Sequence, residues 1–161
     1  MIKTIVTDCD GTLTDGKYYY TAEGRQSVAF HTHDSYAANI IKESGIRLIV
    51  ISSGTNQRIN KKRSEELGAE YMYAPPGKKL DVIKSLDLLL SETAYIGDCI
   101  DDIPSLLACA LSFCPKESVA SVREASNFVL TRAGGEGCLL DAWLLLVKYN
   151  KINRGENAIR N

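Results

Sequence analysis

The chain has 161 residues, 45% of them hydrophobic and 24% charged, and a net charge of -1 at neutral pH. That length suits one domain with a full hydrophobic core. The near-neutral balance gives no electrostatic reason to expect nucleic acid or an anionic membrane surface as partner, and no apolar run approaches the ~20 residues of a membrane-spanning helix. Five cysteines, Cys9, Cys99, Cys109, Cys114 and Cys138, form no Cys-x-x-Cys pair and no zinc-type spacing. Such an odd, scattered set points to free thiols in a reducing compartment, so a cytoplasmic location is expected. The first residues open on a strand pattern rather than on a signal peptide.

The first predicted strand, residues 2–7, runs straight into Asp8 and Asp10 and then into Gly11 and Thr12. In open α/β sheets ligands bind at the carboxyl ends of strands. There, a rigidly held and partly desolvated carboxylate can act as a nucleophile, and a second one can move a proton. Two acids so close repel, which calls for a positive charge between them. Magnesium, which takes carboxylate, carbonyl and water oxygens, suits that place. The competing reading is a plain turn, since Asp tolerates turn geometry. Cys9 adjoins Asp8 and is expected to be an inert, packed thiol. Next, residues 17–20 and 26–30 flank Ala22-Glu23-Gly24-Arg25 and predict a β-hairpin that stands over the acids as a flap. The run Tyr18-Tyr19-Tyr20 reads as flap packing against a neighbour. His31 and His33 flank Thr32 at the flap base, where polar roles are expected ahead of a transition-metal site. Asp34 is expected to cap a helix over 35–44 that ends before Gly45.

A second strand, 47–52, ends in Ser53-Gly54-Thr55, and a helix over 56–67 follows and stops at Gly68. Backbone N–H groups at such a helix start bind anions, and Ser53 can add a hydroxyl, although Ser and Thr at this junction would equally serve as helix caps. After a short strand at 71–73, Pro75-Pro76-Gly77-Lys78-Lys79 places two lysines at the start of a helix predicted over 79–90, with Leu80, Ile83, Leu86 and Leu90 on one stripe. The helix dipole disfavours cations there, so at least one lysine needs a phosphate or a carboxylate cluster nearby. The strand 94–96 ends in Gly97-Asp98-Cys99-Ile100-Asp101-Asp102, and three acids at a strand end point to a cation. Cys99, beside Asp98, is expected to be as inert as Cys9. Helices at 103–108, 118–125 and 136–149 and strands at 111–113 and 128–130 complete the chain. The alternation predicts an α/β fold with a doubly wound, mainly parallel sheet. Residues 1–150 are expected to form one domain, with the flap at 17–30, and 151–161 a polar tail.

The segments Asp-Cys-Asp-Gly-Thr-Leu-Thr-Asp-Gly, Ser53-Gly54, Lys78-Lys79 and Gly97-Asp98 resemble, in order, the four motifs of the haloacid dehalogenase superfamily of phosphohydrolases. No insertion large enough for a cap domain follows the first or second motif. Leu13-Thr14-Asp15-Gly16, the His31-Thr32-His33-Asp34 segment and Gly134-Gly135-Glu136-Gly137 resemble its capless, tetrameric branch, which acts on phosphates of sugar acids such as 3-deoxy-manno-octulosonate 8-phosphate and nonulosonate 9-phosphates.

The resemblance implies a Rossmann-like fold and a magnesium-dependent phosphatase working through an aspartyl-phosphate. It implies Asp8 as nucleophile and metal ligand, Asp10 as general acid and base with its carbonyl a further ligand, and Asp98 as the third protein ligand. Asp102 would orient the lysine and metal waters. Ser53 would hold phosphoryl oxygens and Lys79 would neutralise the phosphate, with Lys78 the alternative if the helix starts a residue earlier. Gly11, Thr12, Gly54, Thr55 and Asp34 would border the substrate. Departures lie at Thr55, at Ala74-Pro75-Pro76-Gly77 and at Cys99, and the first two fall where substrate should bind. Competing readings are a receiver-type signalling domain, which would need its acceptor Asp after a middle strand that here ends in Ser52-Ser53-Gly54, and a catalytically weak oligomerisation module. A phosphatase of another small phosphorylated metabolite is a third.

Overall fold

The computed structural model describes residues 1–153. Six strands form one sheet in the order β5-β4-β1-β6-β7-β8, and every neighbouring pair is parallel. They are β1 (Thr4–Asp8), β4 (Arg47–Ser52), β5 (Glu70–Tyr73), β6 (Thr93–Ile96), β7 (Leu111–Cys114) and β8 (Phe128–Val129). β2 (Tyr19–Thr21) and β3 (Gly24–Ser27), among the described residues, pair only with each other, antiparallel, as the flap. The helices are α1 (Thr32–Glu43), α2 (Gln57–Glu66), α3 (Lys79–Ser85), α4 (Ile103–Ala108), α5 (Ala120–Ala125) and α6 (Cys138–Asn153). Among the described residues only the hairpin intervenes between β1 and α1, and no cap domain is present. No helix of the described residues is long and apolar enough to cross a membrane.

A parallel sheet is covered on both faces, so its strands are apolar throughout. Successive side chains alternate between faces, and β1 shows it. Ile5 joins a core with Ala37, Ile41, Val50, Ile96, Leu139 and Trp143, which seats α1 and α6 on one face. Val6 joins Ile49, Ile51, Ile83, Tyr95, Leu106 and Val122, which seats α3, α4 and α5 on the other. β1 lies between β4 and β6, Thr4 opposite both Arg47 and Thr93. The carboxyl ends of these three central strands therefore open at one edge, where Asp8, Ser52 and Gly97 leave the sheet.

All six expected sheet strands are present; several helix bounds differ. α3 ends at Ser85 rather than 90, because Leu86 turns extended, with ψ 150°. Leu86, Leu88 and Leu90 are each partly buried against the core while Leu89 is 63% exposed. Those leucines follow a period of two, and the helical stripe was one of two readings they allowed. α1 begins at Thr32, not after Asp34, since His31 supplies the cap by accepting the His33 N–H. α6 begins at Cys138 because Gly137 has φ +90°, and it runs through Asn153 into the expected tail. Residues 154–161 of that tail lie outside the described residues. The hairpin is tighter than expected, with β2 reaching Thr21 and β3 starting at Gly24.

Candidate active site

Asp8 is the last residue of β1 and is 3% exposed. After it the chain turns at Gly11, φ +97°, where a Cβ would collide with the Asp98 carboxylate. Only glycine lets the first loop approach Asp98 this closely. Thr12 is fully buried in that loop and donates its hydroxyl to Asp98 Oδ1 at 3.1 Å. The Gly134-Gly135 loop closes over the same turn: Gly135 donates its N–H to the Thr12 carbonyl, and a Cβ on Gly134 would overlap the Gly11 carbonyl.

The two lysines of the third motif separate cleanly. Lys78 caps α3 and pairs with Asp81 at the surface, at 3.1 Å. Lys79 is 3% exposed and reaches inward, 2.6 Å from Asp8 Oδ1 and 2.7 Å from Asp102 Oδ1. Lys79, and not Lys78, is thus the lysine that lies among the acids, which explains why a cation sits at a helix start. Asp102 is fully buried and saturated. It accepts from Lys79, from the Tyr95 hydroxyl at 2.5 Å, and from the Asp98 and Cys99 N–H groups at 3.1 and 2.9 Å.

Asp8, Asp98 and Asp102 offer carboxylate oxygens that lie within 4.8 Å of one another. Burial, then the charges of Asp102 and Asp98, push Asp8 well above the usual carboxylate range, and burial and Asp102 push Asp98 up to about 6. Burial works against the Lys79 charge, but Asp8 and Asp102 more than offset it and hold Lys79 above the ordinary lysine range. One ammonium thus serves two buried carboxylates, Asp8 and Asp102, with the half-buried Asp98 beside them. A hard divalent cation with oxygen ligands fits that donor set, and the absence of His or Cys among the donors disfavours a zinc-type site. Since Asp102 spends both oxygens on hydrogen bonds, Asp8 and Asp98 are the side chains left to take an ion.

Asp10 has hydrogen-bond partners of its own. Its Oδ2 accepts from Ser52 Oγ at 3.0 Å and Asn60 Nδ2 at 2.9 Å, while Oδ1 is buried without a partner. Gly54 is fitted beneath it, for a Cβ there would collide with Asp10 Oδ2. Ser53 is half-buried and donates to Asp101 Oδ2 at 3.3 Å, and Asp101 also accepts the Gly77 N–H at 2.6 Å, tying the second and third motif loops together. Thr55 lies farther out, beside a cavity of about 750 Å³ along α2 that Phe30, Arg58, Lys62 and Arg63 also line. A second cavity, about 580 Å³, opens beside Gly11 and Asp98.

Asp34 stands apart from these residues. It is 1% exposed, and its Oδ1 accepts the Leu139 N–H at the start of α6, so it ties two helices together rather than bordering the acids. His31 and His33 stack tilted at 4.5 Å, and His33 Nδ1 lies 2.8 Å from Arg132 Nη1. A guanidinium only donates, so that nitrogen accepts and has a structural partner. Cys9 is buried, as expected, but Cys99 is exposed, because the turn that aims Asp98 inward leaves residue 99 facing out. Sequence reasoning missed Ser52, Asn60, Tyr95 and Asp101. Asp101 stood in plain view in the acidic run, while the others looked like ordinary strand and helix residues.

A doubly wound sheet with acids at the ends of two adjacent central strands and a lysine reaching between them defines a phosphoric monoester hydrolase of the haloacid dehalogenase type. No protein-family model matches the chain. The chain is 33% identical to the 3-deoxy-D-manno-octulosonate 8-phosphate phosphatase KdsC of Haemophilus influenzae over 140 residues, which cover 84% of this chain and 77% of that protein. It therefore belongs to the KdsC-like family of that superfamily. The Escherichia coli K12 KdsC is 26% identical over 160 residues, covering 96% of this chain and 85% of the relative. Solved structures agree in fold. The cobalt-bound Haemophilus influenzae phosphatase superposes with a TM-score of 0.82 at 29% identity, covering 91% of this chain and 88% of that one. The Moraxella catarrhalis phosphatase, in complex with magnesium, phosphate and a KDO molecule, gives 0.84 at 27%, covering 99% and 94%.

Proposed function

We propose that this chain is a magnesium-dependent phosphatase that hydrolyses the phosphate monoester of a small sugar acid, 3-deoxy-manno-octulosonate 8-phosphate or a nonulosonate 9-phosphate, through an aspartyl-phosphate. The observation that carries the reading is Lys79 buried between Asp8 and Asp102, with Asp98 beside them. Support for the substrate class comes from the relatives, named as phosphatases of 3-deoxy-D-manno-octulosonate 8-phosphate, and from the related structure that holds magnesium, phosphate and KDO. A related structure in its cobalt-bound form supports use of a divalent ion.

In this mechanism Asp8 Oδ attacks phosphorus in line with the leaving oxygen. The P–O bond to the sugar breaks as the new one forms, and Asp10 gives its proton to the departing alkoxide. Asp10 then takes a proton from the water that attacks the aspartyl-phosphate, which releases inorganic phosphate and restores Asp8. Lys79 screens the incoming phosphate from the Asp8 charge, and Asp102, through four hydrogen bonds, fixes Lys79 and the Asp98 loop. Ser53, at the mouth of the second loop, holds a phosphoryl oxygen. Magnesium, held by Asp8, Asp98 and the Asp10 carbonyl, would neutralise phosphate charge and orient the ester for attack. The exposed flap tyrosines, Tyr18, Tyr19 and Tyr20 at 43, 48 and 65%, support a homotetramer in which a neighbouring copy covers the open site.

Asp8→Asn keeps the size of the side chain and removes the nucleophile. Its turnover of sugar-acid phosphates should fall by about three orders of magnitude or more while circular dichroism stays unchanged. Chelation should abolish activity and added magnesium restore it. Full activity in purified Asp8→Asn protein would overturn the mechanism.

A further inference from the structure

Asp10 is held by a buried pair that no motif contains. Ser52 and Asn60 are both fully buried, one at the end of β4 and one in the first turns of α2. Asn60 Nδ2 donates to Asp10 Oδ2 at 2.9 Å and to Ser52 Oγ at 3.1 Å. Ser52 Oγ donates to the same Asp10 oxygen at 3.0 Å and accepts the Gly54 N–H at 3.0 Å. Both donors therefore converge on one carboxylate oxygen. The other oxygen, Oδ1, is buried and accepts nothing, and so is Asn60 Oδ1.

A polar side chain at a core position carries a desolvation cost unless it is hydrogen-bonded. β4 and α2 could have filled these two places with apolar side chains, as β4 does at Leu48, Ile49, Val50 and Ile51. The donors have a geometric consequence. Two hydrogen bonds to Oδ2 occupy its lone pairs and fix the plane of the carboxyl group. A proton carried by Asp10 then resides on Oδ1, the oxygen with no competing partner.

We propose that Ser52 and Asn60 are positioning residues for proton transfer: they anchor Asp10 through Oδ2 and so present Oδ1 as the atom that exchanges the proton with the leaving group and with water. The inference rests on the phosphatase reading above. Neither side chain touches substrate in this scheme; both act through Asp10.

The test exploits the leaving group. An alkyl phosphate such as 3-deoxy-manno-octulosonate 8-phosphate needs its oxygen protonated on departure, whereas 4-nitrophenyl phosphate expels a stable phenolate with little help. General acid–base catalysis contributes typically 10²–10⁴-fold, and loosening the acid should forfeit part of that. Ser52→Ala, Asn60→Leu and Ser52→Thr are compared with the parent enzyme, with magnesium present. In Ser52→Ala and Asn60→Leu, kcat/KM, which reports the leaving-group step, should fall at least about tenfold on the alkyl ester and less than about threefold on the aryl ester, while the water step common to both lowers kcat on both. Ser52→Thr, which keeps the hydroxyl, should recover most of the alkyl activity. Equal losses of kcat/KM on both esters, or no loss on either, would overturn the positioning role. Should Asn60→Leu fail to fold, Ser52→Ala, which removes a single oxygen, carries the same expectation. Asp8→Asn separates the two claims: if that variant retains turnover, the phosphatase mechanism itself fails, whatever the leaving-group pattern.

Discussion

Asp34 shows how a residue can sit in a motif-like segment and serve the scaffold. Burial is the main force on it, with the Leu139 N–H and the Arg63 and Arg132 charges working the other way, and the net effect lifts its pKa to about 6. Cys138, Asp141 and Glu136 are the other titratable groups near the start of α6. A carboxyl whose folded pKa lies above its unfolded value of 3.8 favours the native state most below that value, and this contribution is lost as pH rises through 6. At neutral pH the ionised Asp34 therefore works against folding, by about 3 kcal/mol. Asp34→Asn keeps an acceptor for Leu139. Relative to the parent, its stability to urea should climb between pH 4 and pH 6 and then level off. A stability difference that stays constant across that range would show that the charge of Asp34 is irrelevant.

At the level of elements, the glycine loop before α6 bears on the acids without contributing one. Gly135 has φ +72°, and a Cβ there would lie 2.5 Å from the Asp15 nitrogen and 2.8 Å from the Thr14 carbonyl carbon. Gly45 has nearly the same φ, +71°, with nothing within 4 Å. Both substitutions to Ala meet the left-handed penalty of roughly 1–2 kcal/mol, but only Gly135→Ala must also move the loop that carries Thr12, the partner of Asp98. Gly135→Ala should therefore lose more stability than Gly45→Ala and lose kcat as well, while Gly45→Ala keeps its kcat. Thermal melts and rates on the two variants check this, and equal kcat values would dismiss the coupling. The sheet, the flap and the acid-bearing loops were legible from sequence because apolar strand runs ending in acids leave few other readings. The end of α3 was not, since the 86–90 leucines satisfy periods of two and of 3.6 alike. Ser52 and Asn60 were hidden for another reason: their role appears only when β4 and α2 fold over Asp10, from positions 42 and 50 residues away.

For the molecule as a whole, the flap bears on the proposed homotetramer. The flap is a two-stranded hairpin that pairs with no other strand among the described residues, and isolated hairpins are marginal in water. A neighbour that packs on Tyr18–Tyr20 would stabilise the hairpin and shield the site together. Light scattering at working concentration should give four times the 17.7 kDa chain mass. A fully active monomer would refute this assembly.

The central place of β1 has a consequence for synthesis. The strand that bears Asp8 is made before both of its neighbours, so Thr4 must wait for Arg47 on one side and Thr93 on the other. Until β6 emerges, the turn that carries Asp8 and Asp10 stands on a strand with one bare edge, and Lys79 has been made before Asp102 exists to steady it. Pairings between segments so distant in sequence form slowly. Nascent chains stalled before residue 93 would therefore expose an apolar β1 edge, and that interval is when holding by a chaperone would matter most to this protein.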